Sequence, residues 1–185
     1  MEARRLSGNP IIRPEIDESL GDNVNGPSLI RVPDWLPNPM GRYYLYFAHH
    51  GGKFIRLAYA DWLEGPWTIY VPGTLHLDES LFGAHIASPD VHVDEAERRI
   101  RMYYHGVEEG GQLTRVATST DGISFTPRPE ILGRSYFRVF EWNGRHHAIR
   151  MSGNMHRSRD PLGGFERGPR LPLISMRHLA VKIAG

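Results

Sequence analysis

The strongest constraint on this 185-residue chain is that it repeats itself. Pro27-Ser28-Leu29-Ile30 is echoed by Pro89-Asp90-Val91-His92, and Tyr44-Leu45-Tyr46-Phe47-Ala48-His49 by Ile100-Arg101-Met102-Tyr103-Tyr104-His105. Ile55-Arg56-Leu57-Ala58 matches Thr114-Arg115-Val116-Ala117, and Asp61 and Trp67 match Asp121 and Phe125. A third copy opens at Tyr136-Phe137-Arg138-Val139, turns at Glu141-Trp142-Asn143-Gly144, returns through His146-His147-Ala148-Ile149 and runs on to Phe165. A fourth opens at Arg177-His178-Leu179-Ala180-Val181-Lys182-Ile183. A unit too small to bury its own apolar face must stack on its copies. Four strands per copy, at roughly fifty to sixty residues each, is the pattern of propeller blades.

The runs between the Gly, Pro, Asn and Asp turns are rich in β-branched and aromatic residues, as in Arg42–Ala48 and Phe54–Ala60. No segment carries a long helical apolar period with caps, so the chain is expected to be all-β. A β-sandwich would also supply short strands, but it does not explain why Arg-aliphatic-Ala and Ser-x-Asp recur at matching places. The repeat predicts a leader over 1–24, blade one over 25–75, blade two over 84–130, blade three over 135–170 and the start of blade four over 176–185. All belong to a single, incomplete propeller domain over 1–185.

Composition narrows the partners. Lys plus Arg number 22 against 21 Asp plus Glu, too balanced for a general nucleic-acid or membrane-surface binder. There is no cysteine, which removes disulfides and Cys-ligated zinc. Met1-Glu2-Ala3-Arg4-Arg5-Leu6 lacks the apolar stretch of a signal peptide, and the expected location is cytoplasmic.

Asn9-Pro10-Ile11-Ile12, Gly26-Pro27-Ser28-Leu29-Ile30, His85-Ile86-Ala87-Ser88-Pro89-Asp90-Val91 and Arg115-Val116-Ala117-Thr118-Ser119-Thr120-Asp121-Gly122-Ile123-Ser124-Phe125 resemble the five-bladed glycosidases. These are the arabinanase and β-xylosidase type (family 43) and their cousins on other sugars. The resemblance runs from about Asn9 onward and implies a five-bladed β-propeller of which about three blades plus the first strand of a fourth are present. The Ser-x-Asp-Gly-x-x-Phe blade ending specifies this fold better than it specifies a substrate. A truncated ring would leave an inter-blade face open, so marginal stability or self-association through that edge is expected.

Antiparallel alternation puts the start of strand one, the end of strand two, the start of strand three and the end of strand four on one side of the disc. Those places hold Asn25, Ser28, His49, His50, Lys53 and Arg56 in the first unit. The second gives His85, Ser88, Asp90, His105 and Arg115. Tyr136, Arg138, Arg150 and His156 come from the third, and Arg177 and His178 from the fourth. Such a polar, basic set suits hydroxylated ligands, and its arginines point towards an anionic group such as a uronic acid or a sulfated sugar. The substrate-binding candidates are Asn25, His49, Arg56, His105, Arg115 and Arg138. Plainer readings stand beside them: His49, His50 and His105 as strand ends in solvent, and Arg56 and Arg115 as inter-blade salt bridges. His146 and His147 read as surface, His76 and His92 as structural, and Asp61, Asp121 and Asp160 as turn formers.

Glycosidic cleavage ordinarily takes two carboxyl groups. The resemblance implies a base on the first blade's inner strand, an acid on the third's, and at Asp90 a carboxylate that orients the acid. Here the first place reads Asn25-Gly26-Pro27-Ser28 and the third Tyr136-Phe137-Arg138, without a carboxylate at either. The catalytic candidates are therefore Asp90 and Asp22 as base, with His85 or His178 as an imidazole acid. The expected function is a glycoside hydrolase-like propeller acting on or binding an oligosaccharide or glycoside. A non-catalytic carbohydrate-binding or protein-interaction propeller is the alternative. No cofactor is expected. No metal-ligand spacing such as H-E-x-x-H occurs, and His178 is the residue to which a cation at the channel centre would fall.

Overall fold

The computed structural model describes residues 4–171. His178 and the expected start of blade four at 176–185 lie outside the described residues. Two short 3-10 turns, Pro14–Ile16 and Glu18–Leu20, precede three antiparallel sheets, each wound as a meander. The first contains β1 (Asn25–Arg31), β2 (Tyr43–Ala48), β3 (Phe54–Ala60) and β4 (Thr68–His76). The second contains β5 (Ile86–Asp94), β6 (Arg99–Glu108) and β7 (Gly111–Ser119), whose outer edge is shared by β8 (Thr126–Pro127) and β9 (Gly133–Arg134). The third contains β10 (Arg138–Trp142), β11 (Arg145–Ile149), β12 (Asn154–Ser158) and β13 (Glu166–Arg170). The chain is thus all-β in its strand content, and each sheet is one propeller blade. The outer strand of the second blade is split because Pro127 and Pro129 cannot donate to the ladder. Arg128 and Leu132 still bond back to Val116 and Thr114 across the break.

Period-2 alternation decides what packs between blades. Ile30, Tyr44, Tyr46 and Leu57 share one face of the first sheet and are buried with Val91, Ile100, Met102 and Ala117 of the second. The second sheet's other face presents Tyr103 and Val116 to Phe137, Val139 and Ala148 of the third. The first sheet's outer face, with Leu45, Phe47, Ala58 and Ala60, is covered by Ile11, Ile12, Leu20 and Val24 of the leader.

Polar contacts repeat along with the apolar ones. Tyr46, buried in blade one, donates its hydroxyl to Gly122 O at 2.8 Å in a turn of blade two. Tyr103 of blade two pairs with Asp90 and Val116 as Tyr46 pairs with Ser28 and Leu57, and so stands one residue off the sequence match of Tyr46 with Met102. It donates to Pro161 O at 2.7 Å in blade three. Those turns are the Ser-x-Asp endings. The Ser119 hydroxyl accepts from Gly122 N and Asp121 accepts from Ile123 N, while Asp160 accepts from Leu162 N, each at 2.8 Å. Each hydroxyl buried with its partner costs little, whereas an unpaired one would cost about 1–3 kcal/mol.

The inner strands carry a third repeated contact. Ser28 Oγ of β1 accepts from Val91 N of β5 at 2.8 Å. At the matching place Asp90 Oδ2 of β5 accepts from Val139 N of β10 at 2.7 Å. The first strands of blades one and two are thereby each pinned to the next. Just before these residues, both ladders slip register, between Asn25 and Ser28 and between Ala87 and Asp90. Gly26 (φ 60°) and Ser88 (φ 50°) occupy the two irregularities, each followed by a proline that has no N–H to pair. A Cβ on Gly26 would stand 2.9 Å from Ser88 Cα, so only glycine allows the two inner strands to approach this closely.

Candidate functional site

The bulged starts of the inner strands open a cavity of about 640 Å³. Gly26, Ser88 and Tyr136, which hold the same place in the three copies, all line it. Asn25, Ala87 and Arg138 flank them, and His50, Gly51, His85, His105, Gln112 and Met151 complete the wall. The equivalent positions of the three described blades thus meet at one mouth, with backbone from Gly26 and side chains from Ser88 and Tyr136.

The aromatic and imidazole rings pack on one another. The His85 ring lies 5.6 Å from that of His105, edge-on, and His105 lies 4.8 Å from Tyr136. His105 is only 4% exposed, and its Nδ1 has no hydrogen-bond partner. Burial holds its pKa down at about 4, helped by the nearby His85, Arg138 and His50 and opposed by a backbone contact to Ala87. The imidazole is therefore neutral at physiological pH and presents one donor and one acceptor. Ser135 Oγ donates to Gln112 Oε1 at 3.1 Å, which fixes the amide. Arg138 Nη1 donates to Pro89 O at 2.8 Å and stands 3.7 Å from Asp90 Oδ1.

Of the catalytic and substrate-binding candidates, Asn25, His85, His105 and Arg138 come together in this wall, beside His50, Ser88 and Tyr136 from the same set of strand ends. Asp90 sits behind it. Its carboxylate accepts from Val139 N, lies 3.0 Å from His92 Nε2 and faces Arg138, so it supports the wall without lining the cavity. Asp22 is 94% exposed on the leader and contacts His49 Nε2 at 2.9 Å, which lowers its pKa. His49 belongs to a neighbouring recess with Lys53, Phe54 and Arg56. Arg56 is buried and donates to Leu20 O at 2.7 Å and Asn23 O at 3.2 Å, tying the leader to blade one. Arg115, its counterpart, bonds Pro129 O and Glu108 Oε2 and lies over the Phe82 ring. Both guanidinium groups thus hold segments of their own blade or the leader. Gln112 and Met151 were not reached from the sequence. Gln112 sits at the start of a third strand, a place that alternation selects, three residues before Arg115.

Among the described residues no Asp or Glu lines the cavity, and no three His, Asp or Glu side chains converge as metal ligands. What the wall offers is a ring face, imidazoles, amides and one guanidinium: hydrogen bonding and shape recognition rather than paired carboxylate chemistry.

No family model matches the chain. A relative from Acanthamoeba polyphaga mimivirus, "Uncharacterized protein R118", is 35% identical over 167 residues, covering 79% of this chain and 47% of the relative. The chain thus spans about half the length of the curated relative it matches. Among solved structures, a family 43 arabinoxylan arabinofuranohydrolase from Bacillus subtilis, in complex with cellotetraose, superposes with a TM-score of 0.61 at 18% identity. That match covers 82% of this chain and 37% of the enzyme. Zg3597, a family 117 glycoside hydrolase from Zobellia galactanivorans, gives 0.62 at 18% identity, over 82% and 47%. An exo-β-1,3-galactanase from Clostridium thermocellum gives 0.55 at 15%, over 78% and 36%. At such identities the likeness speaks to fold alone: this chain has the blade architecture of the glycoside hydrolase β-propellers.

Proposed function

We propose that the cavity at the inner-strand starts binds a carbohydrate. The observation that carries this reading is the convergence of Tyr136, Arg138, His85, His105, Asn25 and Gln112, from three blades, on one concave site. A volume of about 640 Å³ falls in the range of small-ligand sites. Tyr136 offers an aromatic face to the C–H side of a sugar ring, and the amides and imidazoles offer in-plane donors and acceptors to its hydroxyls. The blade likeness to glycoside hydrolases, one of them solved with cellotetraose, supports the same ligand class.

Hydrolysis of an O-glycosidic bond is the second reading, favoured by His85, an imidazole in the wall and the side-chain type that most often serves in proton transfer. The base would come from Asp22 or Asp90, neither of which lines the cavity. In the binding reading Asp90 is a positioning residue, holding Arg138 and the first strand of the third blade. A protein-docking role would use rim surfaces such as Trp62 and Trp142, 62% and 65% exposed, and gives no reason for a polar cavity.

Titration calorimetry against a panel of neutral and acidic oligosaccharides tests the proposal. At least one class is expected to bind, and Tyr136→Ala to weaken it tenfold or more while the melting curve stays cooperative. No binding across the panel, or full affinity in the Tyr136 variant, overturns it. Reducing-end release by the wild type but not by His85→Ala would move the assignment to hydrolysis.

A further inference from the structure

We propose that the Arg138 side of the cavity recognises an anionic group on the sugar, a carboxylate or a sulfate. This rests on the carbohydrate reading above and adds the class of ligand to it.

The first support is the break in the inner-strand series. Ser28 and Asp90 hold equivalent places, and each accepts the N–H of the next blade's inner strand. The third copy has Arg138 at that place, a side chain with five donors and no acceptor. The pinning role cannot explain an arginine there. Its side chain turns instead towards Pro89 O and the cavity, and is 43% exposed. One carbonyl uses one of the five donors, and the planar fork that remains matches a carboxylate or sulfate better than a single hydroxyl.

The second support is the charge of the wall. The fixed charge in the lining is the Arg138 guanidinium, and no Asp or Glu stands beside it in the wall. The chain as a whole is balanced, 22 basic against 21 acidic, so the bias is local to the cavity. The nearest carboxylate, Asp90, keeps one oxygen on Val139 N and His92 and the other 3.7 Å from Arg138, outside the lining. A neutral sugar presents hydroxyl donors that seek strong acceptors, and among the described residues this wall holds no carboxylate to receive them. An acidic sugar brings its own acceptors.

The test is calorimetry on matched pairs: trigalacturonic acid against galactotriose, a sulfated galactose disaccharide against its unsulfated form, and inorganic sulfate alone. The acidic member of one pair is expected to bind at least tenfold more tightly at low salt. That ratio should shrink as sodium chloride is raised. Arg138→Gln should bring the ratio close to one, and Arg138→Lys should restore part of it. If the glutamine variant does not fold, the wild-type ratios alone decide. Preference for the carboxylate pair identifies a uronate, and preference for the other a sulfated sugar. Equal binding of neutral and acidic partners overturns the anionic assignment and leaves the carbohydrate reading intact. No binding by any sugar overturns both, as does inorganic sulfate binding as tightly as the acidic sugar.

Discussion

His105 is a buried imidazole held by desolvation, and then by cationic neighbours, at a pKa of about 4 against an ordinary 6.5. Its effect on stability has a definite sign. The unfolded chain takes up a proton on this residue as pH falls through 6.5, while the folded protein resists until pH nears 4. Stability is therefore complete above pH 6.5, falls between 6.5 and 4, and levels off below. At pH 5 the difference amounts to about 2 kcal/mol, and at pH 7.5 it is negligible. For a protein of this size 1 kcal/mol moves the melting temperature by about 2–4 °C, so the His105 contribution is about 4–8 °C. The assay is differential scanning calorimetry of wild type and His105→Gln at pH 7.5 and pH 5.0. The wild type should lose more on acidification, by that margin. His146, lowered by burial and then Arg101, and His156, lowered by burial and then Arg150 and Arg167, leave a smaller dependence of the same sign in both proteins. Identical losses in wild type and variant would refute the burial argument, and with it the neutral donor–acceptor role of His105 in the wall.

Further predictions concern the frame that carries the cavity. Asp90→Ala strands the Val139 N–H between two blades and should cost about 1–3 kcal/mol in chemical denaturation. Ser28→Ala should act in the same direction through Val91; unchanged midpoints would remove these contacts from the account. Gly26→Ala forces a side chain into φ 60° with its Cβ 2.9 Å from Ser88 Cα. It should cost at least about 1 kcal/mol and weaken ligand binding, both measurable on the same sample. Gly106→Ala would put a Cβ 2.6 Å from His85 O and against the Phe82 ring, so it should displace His85 and lower sugar affinity in calorimetry.

The blades were readable because their chemistry is local and repeated. A proline after a residue with positive φ, a tyrosine facing the next blade and a Ser-x-Asp turn each leave a fixed mark in the sequence, and these marks recur from one blade to the next. The cavity was readable in part for the same reason, since alternation selects the inner-strand starts that carry Asn25, His85 and Arg138. Other assignments depend on partners that no period encodes. Arg56 and Arg115 looked alike by position, but what each binds is a carbonyl on an irregular segment, Leu20 and Asn23 for one and Pro129 for the other. His49 and His50 follow the end of β2, where alternation lapses. The structure turns His50 into the cavity and His49 out to Asp22. Asp90 stood at a marked place, but the sequence does not reveal that its carboxylate is engaged by Val139 N and His92.

A sugar in the mouth formed by the three inner-strand starts would lie against three histidines, which report on it directly. Long-range proton–nitrogen NMR of the imidazoles would be followed while the best-binding oligosaccharide is titrated in. His50, His85 and His105 should shift together along one saturable curve, while His76, stacked on Phe54, and His147, stacked on Phe140, stay in place. Shifts confined to His76 or His147, with the three cavity imidazoles unmoved at saturation, would contradict binding at this mouth.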